Sequence, residues 1–150
     1  MNNLKFSLLF SLLLSVYNIS ARCIVNFDCK TIQNDSQIYT ATLYVFSGSD
    51  WCAPCINLYK KVLNRNEFLQ KMDSGNIQLQ IIDFPQRTQL SPELLKYNES
   101  VSERFGFEGS FPTLVIYSFI TRKFKTFDYR NQSAVAFYIE IVKNLRQLNE

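Results

Sequence analysis

The sequence contains no histidine among its 150 residues. This absence excludes the Ser-His-Asp and Cys-His nucleophile arrangements and every zinc site that needs an imidazole ligand. A candidate nucleophile must therefore be activated by its location in the fold.

A strong charge excess is lacking too, since the sequence has 16 Lys and Arg and 13 Asp and Glu. Because the basic residues are scattered among the acids, the sequence has no basic patch of the kind that binds nucleic acids.

The sequence has no apolar run long enough to span a bilayer comfortably, which takes about 20 residues. Residues 1–21 instead have the pattern of a secretory signal peptide, with Lys5 in the positive region, an apolar stretch from Phe6 to Val16 and the small residue Ala21 before cleavage. We expect an exported protein with no stable membrane span after cleavage, periplasmic in a Gram-negative bacterium and otherwise secreted. A buried or membrane-anchoring N-terminal helix is the alternative.

The remaining chain reads as one folded domain over residues 22–150. The whole sequence has an apolar fraction of 47% and an aromatic fraction of 15%, which argue for a globular core, and we find no repeat, low-complexity segment or linker. Apolar periodicity and turn residues predict strands and helices in a mixed order. The predicted elements are a buried strand 40–46, a helix 52–72, a central strand 77–84, one helix or two short ones over 93–105, a buried strand 114–117, a return strand 123–129 and an amphipathic helix 133–148.

One motif joins the first of these strands to the first helix. It reads Trp51-Cys52-Ala53-Pro54-Cys55 and places two cysteines on the first turn of the helix. Unpaired N–H groups and the helix dipole favour a thiolate there. Proline is tolerated at this position because the first turn needs no N–H donor. The motif therefore indicates disulfide exchange.

Two other uses of the four cysteines remain open at this point. In an oxidising compartment they could form two structural disulfides, or Cys52 and Cys55 could be half of a zinc site. A zinc site needs a second pair at suitable spacing, and Cys23 with Cys29 is not such a pair. We expect no metal, and we expect Cys23 and Cys29 to form a local disulfide or stay free without a catalytic role.

The motif, together with Phe111-Pro112-Thr113 opening a downstream apolar strand, resembles the thioredoxin superfamily. Within it, the stretch from Phe46 to Cys52 is similar to exported bacterial thioredoxin-like disulfide oxidoreductases of the DsbH type. The resemblance implies an α/β fold with a central mixed β-sheet flanked by helices. It also implies an active site at the end of the strand that precedes Cys52.

The resemblance also assigns roles, with which the chemistry of the motif agrees. Cys52 is the expected nucleophile and Cys55 the resolving thiol, the two forming a redox-active disulfide. Trp51, Phe111 and Pro112 are the expected substrate-binding residues, with a cis bond before Pro112. No cofactor is expected. The expected partners are cysteine-containing protein substrates and an unidentified redox partner protein.

Some residues depart from the family pattern. Thioredoxins have a buried acid on the strand before the motif, where this chain has Phe46. Asp50 is expected to be exposed. Asp83 is expected to be a surface cap, and a modest electrostatic neighbour of the site is the alternative. Strong oxidases place a histidine between the two cysteines, and this chain has none, so we predict a comparatively reducing couple.

The expected function is that of an exported disulfide reductase or isomerase. Thiol reduction in cytochrome c maturation is an alternative within the same chemistry. A redox-inactive thioredoxin-fold module that binds proteins is the alternative from another class.

Overall fold

The computed structural model describes residues 39–150, so the predicted signal peptide and the cysteines Cys23 and Cys29 lie outside the described residues. A π-helical turn, Tyr59–Leu63, directly follows the first helix. The strands and helices, in chain order, are β1 Ala41–Ser47, α1 Ala53–Leu58, α2 Asn66–Ser74, β2 Ile77–Asp83, α3 Pro92–Phe105, β3 Thr113–Ser118, β4 Phe124–Phe127 and α4 Ala134–Asn149.

The four strands form one mixed sheet in the order β2-β1-β3-β4. Strand β1 runs parallel to β2 and antiparallel to β3, and β4 pairs antiparallel with β3. In this register Phe46 lies opposite Ile82 on one side and Thr113 on the other. The segments that follow β1, follow β2 and precede β3 therefore meet at one end of the sheet.

Helices cover both faces of the sheet because successive side chains of a strand point to opposite sides. On β1, Leu43 and Val45 face a core shared with helices α1, α2 and α4. Tyr44 and Phe46 face a second core, to which α3 contributes Phe105. The observed fold is thus the predicted mixed sheet flanked by helices.

The predicted single helix over 52–72 is wrong, since the structure breaks it in two. Asn64 donates its N–H to the Tyr59 carbonyl, five residues back, and ends the π-helical turn. Arg65 is then extended, with φ −91° and ψ 127°, before α2 begins. The break redirects α2 so that Phe68 stacks on Phe137 of α4, with ring centroids 5.7 Å apart.

Strand β2 also differs from its prediction as a central strand. Within residues 39–150 it lies at one edge of the sheet, and most of its residues are only partly buried.

The other predicted strands and helices are confirmed within a few residues. The caps follow the sequence as well: Ser91 Oγ accepts the Leu94 N–H at the start of α3, and Ser133 Oγ accepts the Ala136 N–H at the start of α4.

None of the helices in the described part of the chain has the length and apolar character required to cross a membrane.

Candidate active site

The candidate site begins with the turn that follows β1. The Gly48 carbonyl accepts the Cys52 N–H at 2.9 Å and the Trp51 N–H at 3.3 Å. Cys52 has an extended backbone, with φ −80° and ψ 101°, and is the N-cap of α1. Its Sγ accepts the Cys55 N–H at 3.3 Å, the bond that a capping side chain makes to the first turn. The sulfur of Cys52 is therefore already aligned with a backbone donor of the helix.

Cys52 and Cys55 are joined by a disulfide, with their Cα atoms 5.3 Å apart. Their exposed fractions are 5% and 3%, so both sulfurs are largely sheltered. Pro54, between them in the first turn, is exposed. The pairing of the two cysteines predicted from the sequence is present, and their separate roles as nucleophile and resolving thiol stay predictions.

Trp51 covers the turn. Its indole Nε1 donates to the Phe84 carbonyl just after β2 at 2.8 Å, and 38% of the side chain is exposed. The ring lies directly over Gly48, where an added Cβ would come within 2.4 Å of it. Position 48 therefore needs a residue without a side chain for Trp51 to lie where it does.

The predicted substrate-binding residues Trp51, Phe111 and Pro112 are brought to the same end of the sheet. The peptide bond between Phe111 and Pro112 is cis, as the resemblance implied. The ring of Phe111 meets the Trp51 ring edge-on, with centroids 5.3 Å apart. Binding of substrate by these residues remains a prediction.

An aromatic cluster adjoins this surface through Phe111, and it explains what Phe46 does in place of an acid. Phe46 is fully buried and stacks on Phe107, with centroids 4.4 Å apart. Phe107 in turn contacts Phe111 at 5.0 Å and Phe84 at 5.8 Å. The cluster, formed by Phe46, Phe84, Phe107 and Phe111, gives position 46 an apolar surrounding, in which an ionised carboxylate would be costly.

Asp83 is not the surface cap that the sequence predicted. It is partly buried at the end of β2, where its Oδ1 accepts the Ser49 N–H at 2.8 Å and its Oδ2 accepts the Ser49 hydroxyl at 2.5 Å. The buried side chain of Asn98 donates to the Asp83 carbonyl at 2.7 Å. Asp83 therefore anchors the turn before the cysteines, and Asn98 ties that anchor to α3.

Asp50 is partly exposed, but it is not a free surface acid. Its carboxylate accepts the backbone N–H groups of Gln86 at 2.9 Å, Arg87 at 2.7 Å and Thr88 at 3.2 Å. These donors stabilise the ionised form, so the pKa of Asp50 lies below its ordinary value, the Gln86 N–H contributing most. Sequence reasoning missed this bond set, since the three donors lie 36 to 38 residues further along the chain.

No family model matches the chain. It is similar to the disulfide bond reductase DsbH of Chlamydia pneumoniae, with 27% identity over 86 residues. That match covers 57% of this chain and 51% of the relative, so the chain matches about half of the relative's length.

Solved structures also resemble it. A structure of a DsbH oxidoreductase matches with a TM-score of 0.62 at 21% identity, covering 72% of this chain and 74% of the other. The C-terminal domain of DsbD from Neisseria meningitidis in its reduced form matches with a TM-score of 0.50 at 20% identity, covering 71% of this chain and 82% of the domain. These likenesses show that the fold is thioredoxin-like, as predicted.

Proposed function

We propose that this thioredoxin-like chain is an exported thiol-disulfide oxidoreductase that reduces protein disulfides through Cys52 and Cys55. The observation that carries the proposal is the N-cap geometry of Cys52, whose Sγ accepts the Cys55 N–H and is paired with Cys55 in a disulfide. A thiolate formed at this position would keep the same N–H donor and gain from the helix dipole. The similarity to a disulfide bond reductase supports the same chemistry.

In the reduced protein the Cys52 thiolate attacks one sulfur of a substrate disulfide. The substrate S–S bond breaks, a mixed disulfide forms, and the departing substrate sulfur takes up a proton. Cys55 then loses its proton and attacks Cys52 Sγ, which forms the Cys52–Cys55 disulfide and releases the second substrate thiol. Two electrons pass to the substrate, so a redox partner protein must reduce the pair again.

The substrate-binding surface in this proposal consists of Trp51, Phe111 and Pro112. The rings of Trp51 and Phe111 are in contact, with centroids 5.3 Å apart. Phe111 and Pro112 directly precede β3, whose first residue pairs with Phe46 near the dithiol turn. An extended cysteine-containing segment would pair with this backbone and lie against the indole. The ligands of the site are therefore polypeptides, and no cofactor takes part.

We propose reduction as the direction because the dipeptide Ala53-Pro54 offers no cationic group to stabilise the reduced thiolate. Equilibration with glutathione measures this directly. A reduction potential near that of thioredoxin, about −270 mV, is expected, and a value near that of DsbA, about −120 mV, would contradict the assigned direction.

Reduction of insulin disulfides in dithiothreitol tests the activity itself. The protein should accelerate insulin precipitation, and Cys52→Ala should abolish the acceleration. Cys29→Ala is the matched control, because it removes a cysteine that we expect to have no catalytic role. A rate no better than dithiothreitol alone would refute the enzyme and favour the redox-inactive binding module.

A further inference from the structure

The turn that carries the cysteines and the segment that follows β2 are fastened to each other by hydrogen bonds in both directions. Phe84 donates its N–H to the Ser47 carbonyl at 2.8 Å, and Trp51 Nε1 donates to the Phe84 carbonyl at 2.8 Å. Ser49 is held by Asp83 from the other side. These bonds fix residues 47–51 to residues 83–84, at the very end of β2.

Beyond Phe84 the chain has no regular structure until α3, and residues 86–89 are exposed. Three consecutive backbone donors of this stretch, from Gln86, Arg87 and Thr88, all go to the carboxylate of Asp50. A segment with no ladder or helix bonds of its own depends on such side-chain acceptors for its position. Asp50 is therefore the group that holds residues 86–88 against the cysteine turn. These residues continue directly from the anchored Phe84, and the stretch as a whole is called the 84–88 segment.

The 84–88 segment matters because Phe84 contacts both rings of the proposed substrate surface. Its carbonyl accepts the Trp51 indole N–H, and its ring lies edge-on to Phe111 with centroids 5.8 Å apart. If residues 86–88 come loose, Phe84 is held only by its bonds to Ser47 and Trp51, and its contacts with Trp51 and Phe111 weaken. The hydrogen bonds of the Asp50 carboxylate go to the Gln86, Arg87 and Thr88 amides and to neither sulfur, so its structural role is directed at this segment.

We infer that Asp50 is a positioning residue for the proposed disulfide exchange: by holding the 84–88 segment, it keeps Trp51 and Phe111 in place for polypeptide substrates. This inference rests on the proposed function. It assigns Asp50 an effect on the binding of large substrates and none on the chemistry at Cys52. A small disulfide, which does not extend over Trp51 and Phe111, is reduced without help from Asp50.

The variants Asp50→Ala and Asp50→Asn test the inference, with Asp128→Ala as a control that removes one exposed carboxylate after β4. Hydrogen exchange reports on the segment. In the unmodified protein the amides of Gln86, Arg87 and Thr88 should be protected, and Asp50→Ala should reduce that protection about tenfold or more. Asp50→Asn should recover part of it, since its amide oxygen still accepts a hydrogen bond.

Kinetics report on the function. For insulin, Asp50→Ala should raise KM about fivefold with kcat little changed, and Asp50→Asn should lie between. With hydroxyethyl disulfide as substrate and in equilibrium with glutathione, all three variants should match the parent within about twofold. Circular dichroism checks that each variant is folded.

Three results would overturn the inference. One is fast exchange of the three amides in the parent protein. The second is loss of protection in Asp50→Ala with an unchanged KM for insulin. The third is an equal loss with insulin and hydroxyethyl disulfide, which would mean a general structural or electrostatic effect. A parent protein that reduces neither substrate refutes the proposed function instead, and the positioning role with it.

Discussion

Gly48→Ala tests the placement of Trp51, because the three atoms nearest to the new methyl group all belong to the indole ring. An added Cβ would lie 2.4, 2.5 and 2.8 Å from three atoms of that ring, closer than van der Waals contact allows. Gly48 is not among the glycines with positive φ, so its backbone conformation suits alanine. We expect the ring to be displaced and the main chain of the turn to stay as it is.

The magnitude follows from what the displaced ring loses. The hydrogen bond from Trp51 Nε1 to the Phe84 carbonyl contributes about 0.5–1.5 kcal/mol to the free energy of unfolding. The edge contact with Phe111 adds about 0.5–1.5 kcal/mol. Because 38% of the side chain is exposed, we expect the lower part of the sum, about 1–2 kcal/mol. Replacing glycine by alanine in an allowed conformation stabilises by about 0.4–1 kcal/mol, which partly offsets the loss.

A double-mutant cycle separates the two contributions. In the parent, Gly48→Ala should lower the free energy of unfolding measured in urea, whereas in a Trp51→Ala background it should raise it. The coupling energy between the two positions should be about 1–2 kcal/mol. Fluorescence gives a second readout, since Trp51 is the only tryptophan, and its emission should move to longer wavelength in Gly48→Ala. A coupling energy near zero with an unchanged emission maximum would refute the reasoning.

Other parts of the structure give further predictions. Phe46→Ala removes a fully buried ring stacked on Phe107 and should lower the free energy of unfolding by about 3–5 kcal/mol; urea unfolding measures this, and a loss below 1 kcal/mol would contradict the packing. Asn98→Ala removes the donor to the Asp83 carbonyl and should cost about 1–3 kcal/mol, with faster exchange of the Ser49 amide. The pKa of Asp50 is lowered from its ordinary 3.8, so its stabilisation is complete above that value and is lost as the pH falls through the lowered pKa. Protection of the Gln86, Arg87 and Thr88 amides should accordingly persist at pH 4 and fall only in stronger acid, whereas loss already near pH 5 would contradict this.

The sequence predicted those parts of the fold that depend on local chemistry. Strand β1 follows from its uncharged apolar run, and the starts of α3 and α4 follow from Ser91 with Pro92 and from Ser133, whose hydroxyls cap the helices as expected. The disulfide pair and the cis bond before Pro112 were predicted from a motif and a family resemblance.

The helix break shows where this reasoning ends. The break falls at Asn64 and Arg65, where the sequence has no proline or glycine to predict it, and the surrounding apolar spacing fits one continuous helix. The chain nevertheless turns there, and Phe68 then packs on Phe137 from the far end of the chain. Tertiary packing overrides local helix propensity at this break. The apolar pattern of one segment alone therefore does not predict it.

The acids at the site were misjudged for a related reason. Asp83 was expected to cap the surface, but its partner is Ser49, 34 residues away, and the partners of Asp50 are backbone donors from an irregular segment. Backbone donors carry no sequence signature. These bonds form only once the folded chain brings the segments that contain Ser49, Asp50 and Asp83 together with residues 86–88 at one end of the sheet. They show that both acids hold the backbone in place and are not free surface groups.

Trapping a mixed disulfide tests the central claim, that Cys52 is the attacking thiol of an exchangeable pair, most directly. Reduced Cys55→Ser protein is incubated with a disulfide-containing polypeptide, and the adduct is located by mass spectrometry. We predict a stable adduct at Cys52, because the resolving thiol is missing, and far slower adduct formation at Cys55 in Cys52→Ser. Absence of any adduct at Cys52, or equal rates for the two variants, would contradict the account.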